Sequence, residues 1–207
     1  MSYHYDVFIS YRRQRFRDLW ITEHFLPRLK EHLEEELQAQ CKKDLEKIFF
    51  DQASISAGIR EGMPHGSGIE PGAFWQTSLK EAILQSRCMI ALFSPTYFRS
   101  QWCNIEWQSF LARQSKSKVP IVIPISVFAM DKLPKEAMQY NVIKMDEFVI
   151  DGPSLISSRQ FVEFNHTLKL VAERVASAVC GAPAFELWPI IDKVALPKIE
   201  DAEVARF

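Results

Sequence analysis

The 207-residue chain is 47% apolar and carries 25 Lys and Arg against 26 Asp and Glu. That length suits one domain with some chain left over, and the apolar share is ample for a core. A net charge of −1 excludes nucleic acid or an anionic membrane as a non-specific partner, and no apolar run reaches the roughly 18 residues of a spanning helix.

The N-terminus, Met1-Ser2-Tyr3-His4-Tyr5-Asp6, lacks the basic-then-apolar layout of a signal peptide. The next residues, Tyr5 to Tyr11, form a β-branched and aromatic run that predicts a first strand ending near Ser10. A polar turn rich in arginine follows. Phe25, Leu26, Leu29, Leu33 and Leu37 then recur at three and four residues, which predicts an amphipathic helix from about Asp18 to Gln40. Pro27 falls inside it and predicts a kink or a late start. Glu31, Glu34, Glu35 and Glu36 make its solvated face.

Ile48-Phe49-Phe50 reads as the second strand, ended by Asp51. Five of the seven glycines lie between Gly58 and Gly72, with Pro64 and Pro71 among them, which predicts a long flexible loop. Phe74, Leu79, Ala82 and Ile83 give a helix to about Gln85.

Cys88 to Phe93 is a short apolar run closed by Ser94-Pro95, the pattern of a strand buried on both faces. Behind it, Trp102, Ile105, Phe110 and Leu111 have helical spacing, and Ser100 stands at the N-cap position. Trp102 and Glu106 are four residues apart and share one helix face. A carboxylate beside an indole, just past the carboxyl end of a central strand, has the makings of a site, since ligands collect at that edge of open α/β sheets. The plain alternative is a surface glutamate and a core tryptophan.

Val119 to Val127 is a further buried strand, and its two prolines place one flank at an edge. Residues 128–157 are poorly patterned, with Val142 to Met145 the best candidate for a last strand. Phe161, Leu168, Val171, Ala172, Val175 and Val179 define a final helix closed by Gly181. Pro183 to Phe207 reads as a linker or extension. Alternating strands and helices argue for a parallel sheet covered on both faces.

Several chemistries are excluded by pattern. There is no P-loop, Gly66-Ser67-Gly68 is only a fragment of a dinucleotide fingerprint, and Phe93-Ser94-Pro95 stands where a receiver domain needs its acceptor aspartate. The five histidines have no metal-binding spacing, so no metal is expected. Cys41, Cys88, Cys103 and Cys180 are scattered and read as reduced thiols of a cytoplasmic protein rather than a disulfide frame.

Taken together the motifs resemble a TIR domain, the Toll/interleukin-1 receptor module, in its bacterial, NAD-cleaving form. Tyr5 to Arg12 matches the first family box and Ile48 to Asp51 the second strand. Pro71 to Trp75, Leu79 to Ile83 and Ser86-Arg87 follow, and Leu92 to Phe98 leads into Ser100 to Glu106. The match covers about residues 3 to 181.

The resemblance implies an α/β, flavodoxin-like three-layer sandwich with a five-stranded parallel sheet, in a TIR domain of residues 3–182 followed by an extension, 183–207. It implies cleavage of NAD⁺ at the nicotinamide–ribose bond, NAD⁺ being substrate and no cofactor being needed, with Glu106 as the catalytic residue. Ser10, Tyr11, Arg12, Arg13, Phe50, Trp75, Ser94 and Trp102 are the implied substrate-binding residues. It further implies activation by self-association with other TIR protomers, as the effector of a bacterial anti-phage response, with the tail leading to a sensor domain or partner. The alternative is a non-catalytic scaffold that signals through homotypic contacts. The loop departs from the family pattern, since Gly58 and Gly72 both resemble its glycine. A substrate-contacting acid falls on Ser56 or Glu70 accordingly.

Overall fold

The computed structural model describes residues 2–51, 75–135, 137–150 and 154–191, without the side chains of Arg15 and Trp75. The expected loop from Gly58 to Gly72, with Ser56 and Glu70, lies outside the described residues.

Five parallel strands form one sheet in the order β2-β1-β3-β4-β5. They are β1 (Tyr5–Tyr11), β2 (Ile48–Phe49), β3 (Ser86–Phe93), β4 (Val122–Ser126) and β5 (Ile143–Lys144). Helices cover both faces, so the expected α/β flavodoxin-like architecture is the observed one. β1 and β3 lie side by side at the centre, with Tyr5 opposite Ser86 and Tyr11 opposite Leu92. Val7, Phe8 and Ile9, like Cys88 to Phe93, are at most 2% exposed, as continuous apolar strands between two helical layers must be. The chain order reverses direction between β1 and β3, which makes their carboxyl ends the switch point of the sheet.

The predicted helix over 18–40 is three pieces: α1 (Arg15–Trp20), a π turn (Ile21–Phe25) and α2 (Leu26–Cys41). Pro27 lies inside a helical stretch unbroken from Arg15 to Cys41, so its missing N–H removes one helical hydrogen bond. The π turn just before it takes up the change of register. Phe25, Leu29, Leu33 and Leu37 are fully buried, as their spacing predicts.

Pro124 fits the edge reading of β4, because β5 pairs only with Ile125 and Ser126 and leaves the Pro124 flank without a strand. The weakly patterned stretch after β4 contains short 3₁₀ turns at Met130–Lys132, Ala137–Gln139 and Asp146–Phe148 around the two-residue β5. On the other face, α3 (Trp75–Gln85) and α5 (Gln101–Gln114) pack together, joined through β3 and the single turn α4 (Pro95–Phe98).

The cysteine expectation is corrected. Cys41, ending α2, and Cys180, ending α6 (Gln160–Cys180), form a disulfide with their Cα atoms 6.0 Å apart. The two helices pack against each other in the same direction, so their carboxyl ends meet. A separation of 139 residues hides that meeting from any spacing rule. Cys88 and Cys103 are buried free thiols. No helix among the described residues is long and apolar enough to cross a membrane.

The first part of the expected extension packs onto the domain. Trp188 is 4% exposed and its indole N–H donates to the Tyr3 hydroxyl at 3.2 Å. The Ile191 amide donates to Ser109 Oγ on α5 at 3.0 Å.

Candidate functional site

At the carboxyl edge of β1 and β3 lies a pocket of about 270 Å³. Its polar wall is Tyr11, Arg12, Arg13, Asp51, Ser100, Cys103 and Glu106; Trp102, Phe8, Ile9, Phe49 and Leu79 supply the apolar part. Local sequence explains how these come together. β1 ends at Tyr11 and hands over Arg12 and Arg13 at the sheet edge. Ser100 caps α5, its Oγ accepting from the Cys103 amide at 3.4 Å, and so starts the helix where Trp102 and Glu106 share the face turned to the pocket.

Glu106 is 7% exposed. Ser10 Oγ donates to its Oε2 and accepts from Tyr97 Oη at 2.8 Å, and the Cys103 carbonyl lies 3.3 Å from Tyr97 Oη. Burial pushes the Glu106 carboxyl up to about 8, against the Ser10 hydrogen bond, which favours the anion. Asp51 pushes in the same direction as burial, and Arg13 opposes it. Burial also raises the Tyr97 hydroxyl and the Cys103 thiol. Cys103 therefore stays a neutral thiol and is unsuited to act as a nucleophile.

Arg13 pairs with Asp51 across the ends of β1 and β2. The Tyr11 hydroxyl donates to the Asp51 carbonyl at 2.7 Å, and the Tyr11 ring stacks on Phe50 at 4.9 Å. Burial raises the Tyr11 hydroxyl, so it remains a donor.

Of the residues expected from sequence, Tyr11, Arg12, Arg13, Trp102 and Glu106 line the pocket, and Ser10 stands directly behind Glu106. Phe50 and Ser94 are not brought to its surface. Phe50 is 2% exposed beneath Tyr11, and Ser94 is buried as the cap of α4, its Oγ accepting from the Tyr97 amide at 3.2 Å. Trp75 opens α3, but its side chain lies outside the described residues. Sequence reasoning missed Asp51 and Tyr97. Asp51 carried a usable signal, an acid at the carboxyl end of the strand beside β1. Tyr97 carried none, because its partner Ser10 is 87 residues away.

A family model described as the TIR domain matches residues 7–166. No curated protein matches the chain. Among solved structures, the chain is similar to the TIR domains in the structure of the activated Roq1 resistosome directly recognizing the pathogen effector XopQ. That alignment has 21% identity over 84% of each chain and a TM-score of 0.38.

Proposed function

The chain belongs to the TIR-domain family, and from that premise we propose that it is an NAD⁺ glycohydrolase in which Glu106 is the catalytic carboxylate. One observation carries this reading: a nearly buried carboxylate, held from behind by Ser10, opens into a pocket with an indole on its wall and two arginines at its rim.

The chemistry asks for little else. Hydrolysis of an ordinary glycoside takes two carboxyl groups, one of them to protonate the leaving oxygen. Nicotinamide in NAD⁺ is a cationic leaving group; the bond between ribose C1′ and the ring nitrogen breaks with its electron pair on nitrogen, and the ring departs neutral. No general acid is needed. The positive charge left on the ribose is met by the Glu106 carboxylate, whose electrostatic stabilisation is strongest in a pocket shielded from water. Water then adds to C1′ and loses a proton, giving ADP-ribose, or an atom of the same molecule closes a cyclic isomer.

Pocket size bears on how the substrate sits. At about 270 Å³ it is at the small end of ligand pockets and suits a ring and a sugar better than a whole dinucleotide. The nicotinamide riboside end enters beside Trp102, and the pyrophosphate lies over Arg12 and Arg13, which can bind it through paired N–H groups.

Activation by contact between protomers belongs to the same proposal, as does an effector role in bacterial anti-phage defence with the tail joined to a sensor. Incubating concentrated protein with NAD⁺ and measuring free nicotinamide tests the activity. Specific activity that climbs with protein concentration is the signature of assembly. Absence of nicotinamide release at any concentration favours the scaffold reading.

A further inference from the structure

We propose that a second cleft, next to the first, receives the adenylate half of the dinucleotide, with Arg17 on its phosphate and Phe128 against adenine. The inference rests on the reading of the first pocket as the place where NAD⁺ is cleaved, and extends that site across the edge of the sheet.

The first pocket, at about 270 Å³, takes a ring and a sugar, so the rest of a dinucleotide lies outside it. Tyr11 and Arg12 line that pocket and also a second, shallower cleft, so the two are continuous. The second cleft lies at the carboxyl ends of β1, β3 and β4, where Leu92 and Val127 meet Arg17 and Trp20 of α1. Phe128 follows Val127 in the chain and is 39% exposed. The Arg17 guanidinium stands over its ring, 5.9 Å from the centre.

Charge decides which way a bound dinucleotide turns. Toward β2, Arg13 is paired with Asp51, and that carboxylate repels a phosphate. Toward β4 there is no such opposition. Among the described residues, neither Arg12 nor Arg17 forms an ion pair or a side-chain hydrogen bond. Arg17 is half-buried, and burial lowers its pKa against the opposing charge of Asp18. A cation drawn partly out of water, with no anion in contact, gains from an anionic ligand.

The ligand chemistry follows from what stands together. Two guanidiniums bind phosphate oxygens through paired N–H groups, and a part-exposed aromatic ring stacks a base. The turn between β1 and α1 brings Arg12 and Arg17 to one cleft, and the end of β4 delivers the ring. With nicotinamide and its ribose beside Trp102 and Glu106, the first phosphate falls at Arg12, the second at Arg17 and adenine at Phe128.

Equilibrium binding tests this without catalysis. Isothermal titration calorimetry on the whole chain compares ADP-ribose, AMP and nicotinamide mononucleotide. A single ADP-ribose binds per chain and displaces both mononucleotides. Arg17→Gln weakens ADP-ribose and AMP by about tenfold, the effect of one hydrogen bond to a charged group. Nicotinamide mononucleotide, whose only phosphate ends at Arg12, keeps its affinity. Phe128→Leu weakens the same two adenylate ligands and Phe128→Trp does not, because a base needs a flat partner. The ring is part-exposed, so Phe128→Leu is tolerated and decides the matter alone. Equal losses on all three ligands, or adenylate binding unmoved in Phe128→Leu, overturn the proposal. AMP that binds together with ADP-ribose marks a separate nucleotide site and overturns it too. Adenylate binding that depends on Arg17 and Phe128, without nicotinamide release, supports the cleft and overturns the proposed activity. Nicotinamide release with adenylate binding indifferent to both residues does the reverse.

Discussion

Ser10 on β1 donates a hydrogen bond to Glu106 on α5, across 96 residues of sequence, and this contact joins the central strand to the candidate catalytic carboxylate. Both residues are nearly buried, so the hydroxyl is the main thing that favours the anion from behind. Ser10→Ala removes it and strands the Tyr97 hydroxyl without its serine partner. The acid limb of kcat/KM for NAD⁺ cleavage moves to higher pH, and the rate at neutral pH falls by about tenfold, the effect of one neutral hydrogen bond to a charged group. An unmoved limb would show that Ser10 does not act on Glu106.

Glu106→Gln abolishes nicotinamide release, with a loss on the order of a hundredfold or more, the effect of removing one preorganised electrostatic group. In the wild type the working form is the anion, and the free protein holds Glu106 protonated below about pH 8. kcat/KM therefore climbs with pH to about 8 and then levels. A cationic nicotinamide seated beside the carboxyl favours the anion, so the corresponding limb of kcat lies at lower pH. Near-wild-type turnover by a folded Glu106→Gln variant would exclude Glu106 as the catalytic residue.

The same substitution has a thermodynamic consequence of opposite sign. The folded-state pKa of Glu106 is raised, so the native state binds a proton that the unfolded chain has already lost above about pH 4.5. Stability from this group is fully present below about pH 4.5 and is lost as pH rises to about 8. Glu106→Gln escapes that loss. Its melting temperature exceeds wild type at pH 8.5, by an amount worth on the order of a few kcal/mol, and the gap closes toward pH 4.5. Parallel melting curves at both pH values would show that the carboxyl is not held out of water.

How much of this is legible in the sequence differs by element. Cys88 to Phe93 and Tyr5 to Tyr11 announced themselves as buried strands because unbroken apolar runs with turn signals have few other uses. Ser100 marked the start of α5 because its hydroxyl does a local job, and that start sets which face carries Trp102 and Glu106. What stayed hidden was every relation made only by tertiary packing. Asp51 gains its partner from a turn 38 residues earlier, and Tyr97 reaches Ser10 over 87. The π turn before Pro27 showed only as an expected irregularity, because a five-residue change of helical register leaves the apolar spacing almost intact.

The Cys41–Cys180 disulfide ties the ends of α2 and α6, and a cross-link over 139 residues restricts the unfolded chain considerably. Chain-entropy arguments put the effect at roughly 4–5 kcal/mol for a loop of this size. Reduction with dithiothreitol lowers the melting temperature of the wild type by several degrees. Cys41→Ser with Cys180→Ser melts at the lowered temperature with or without reductant. Since Cys88 and Cys103 are buried thiols, they offer reductant no second target. A wild type indifferent to reductant would show that the bond does not form or does not matter.

Trp188 tests where the domain ends. Its ring lies over the Arg113 guanidinium at 5.0 Å and beside Lys116, and its N–H meets Tyr3, whose hydroxyl donates to the Pro183 carbonyl at 3.1 Å. Arg113 is 1% exposed and donates to the Ser86 and Ile83 carbonyls, closing the junction of α3 and β3. Burial lowers its pKa to about 10, and the indole is part of what keeps water off it. Trp188→Ala removes that cover and a large buried ring, at a cost of about 3–5 kcal/mol. Trp188→Phe keeps the ring contact and loses only the hydrogen bond, a cost of about 1 kcal/mol beyond the smaller ring. Truncation after Ala182 costs at least as much as Trp188→Ala, because it also removes the Ile191 contact with Ser109 on the helix that carries Glu106. Denaturant unfolding of the three variants gives the order directly. A truncated chain as stable as the full one would place the end of the folded domain at residue 182 and reduce residues 183–191 to an attached extension.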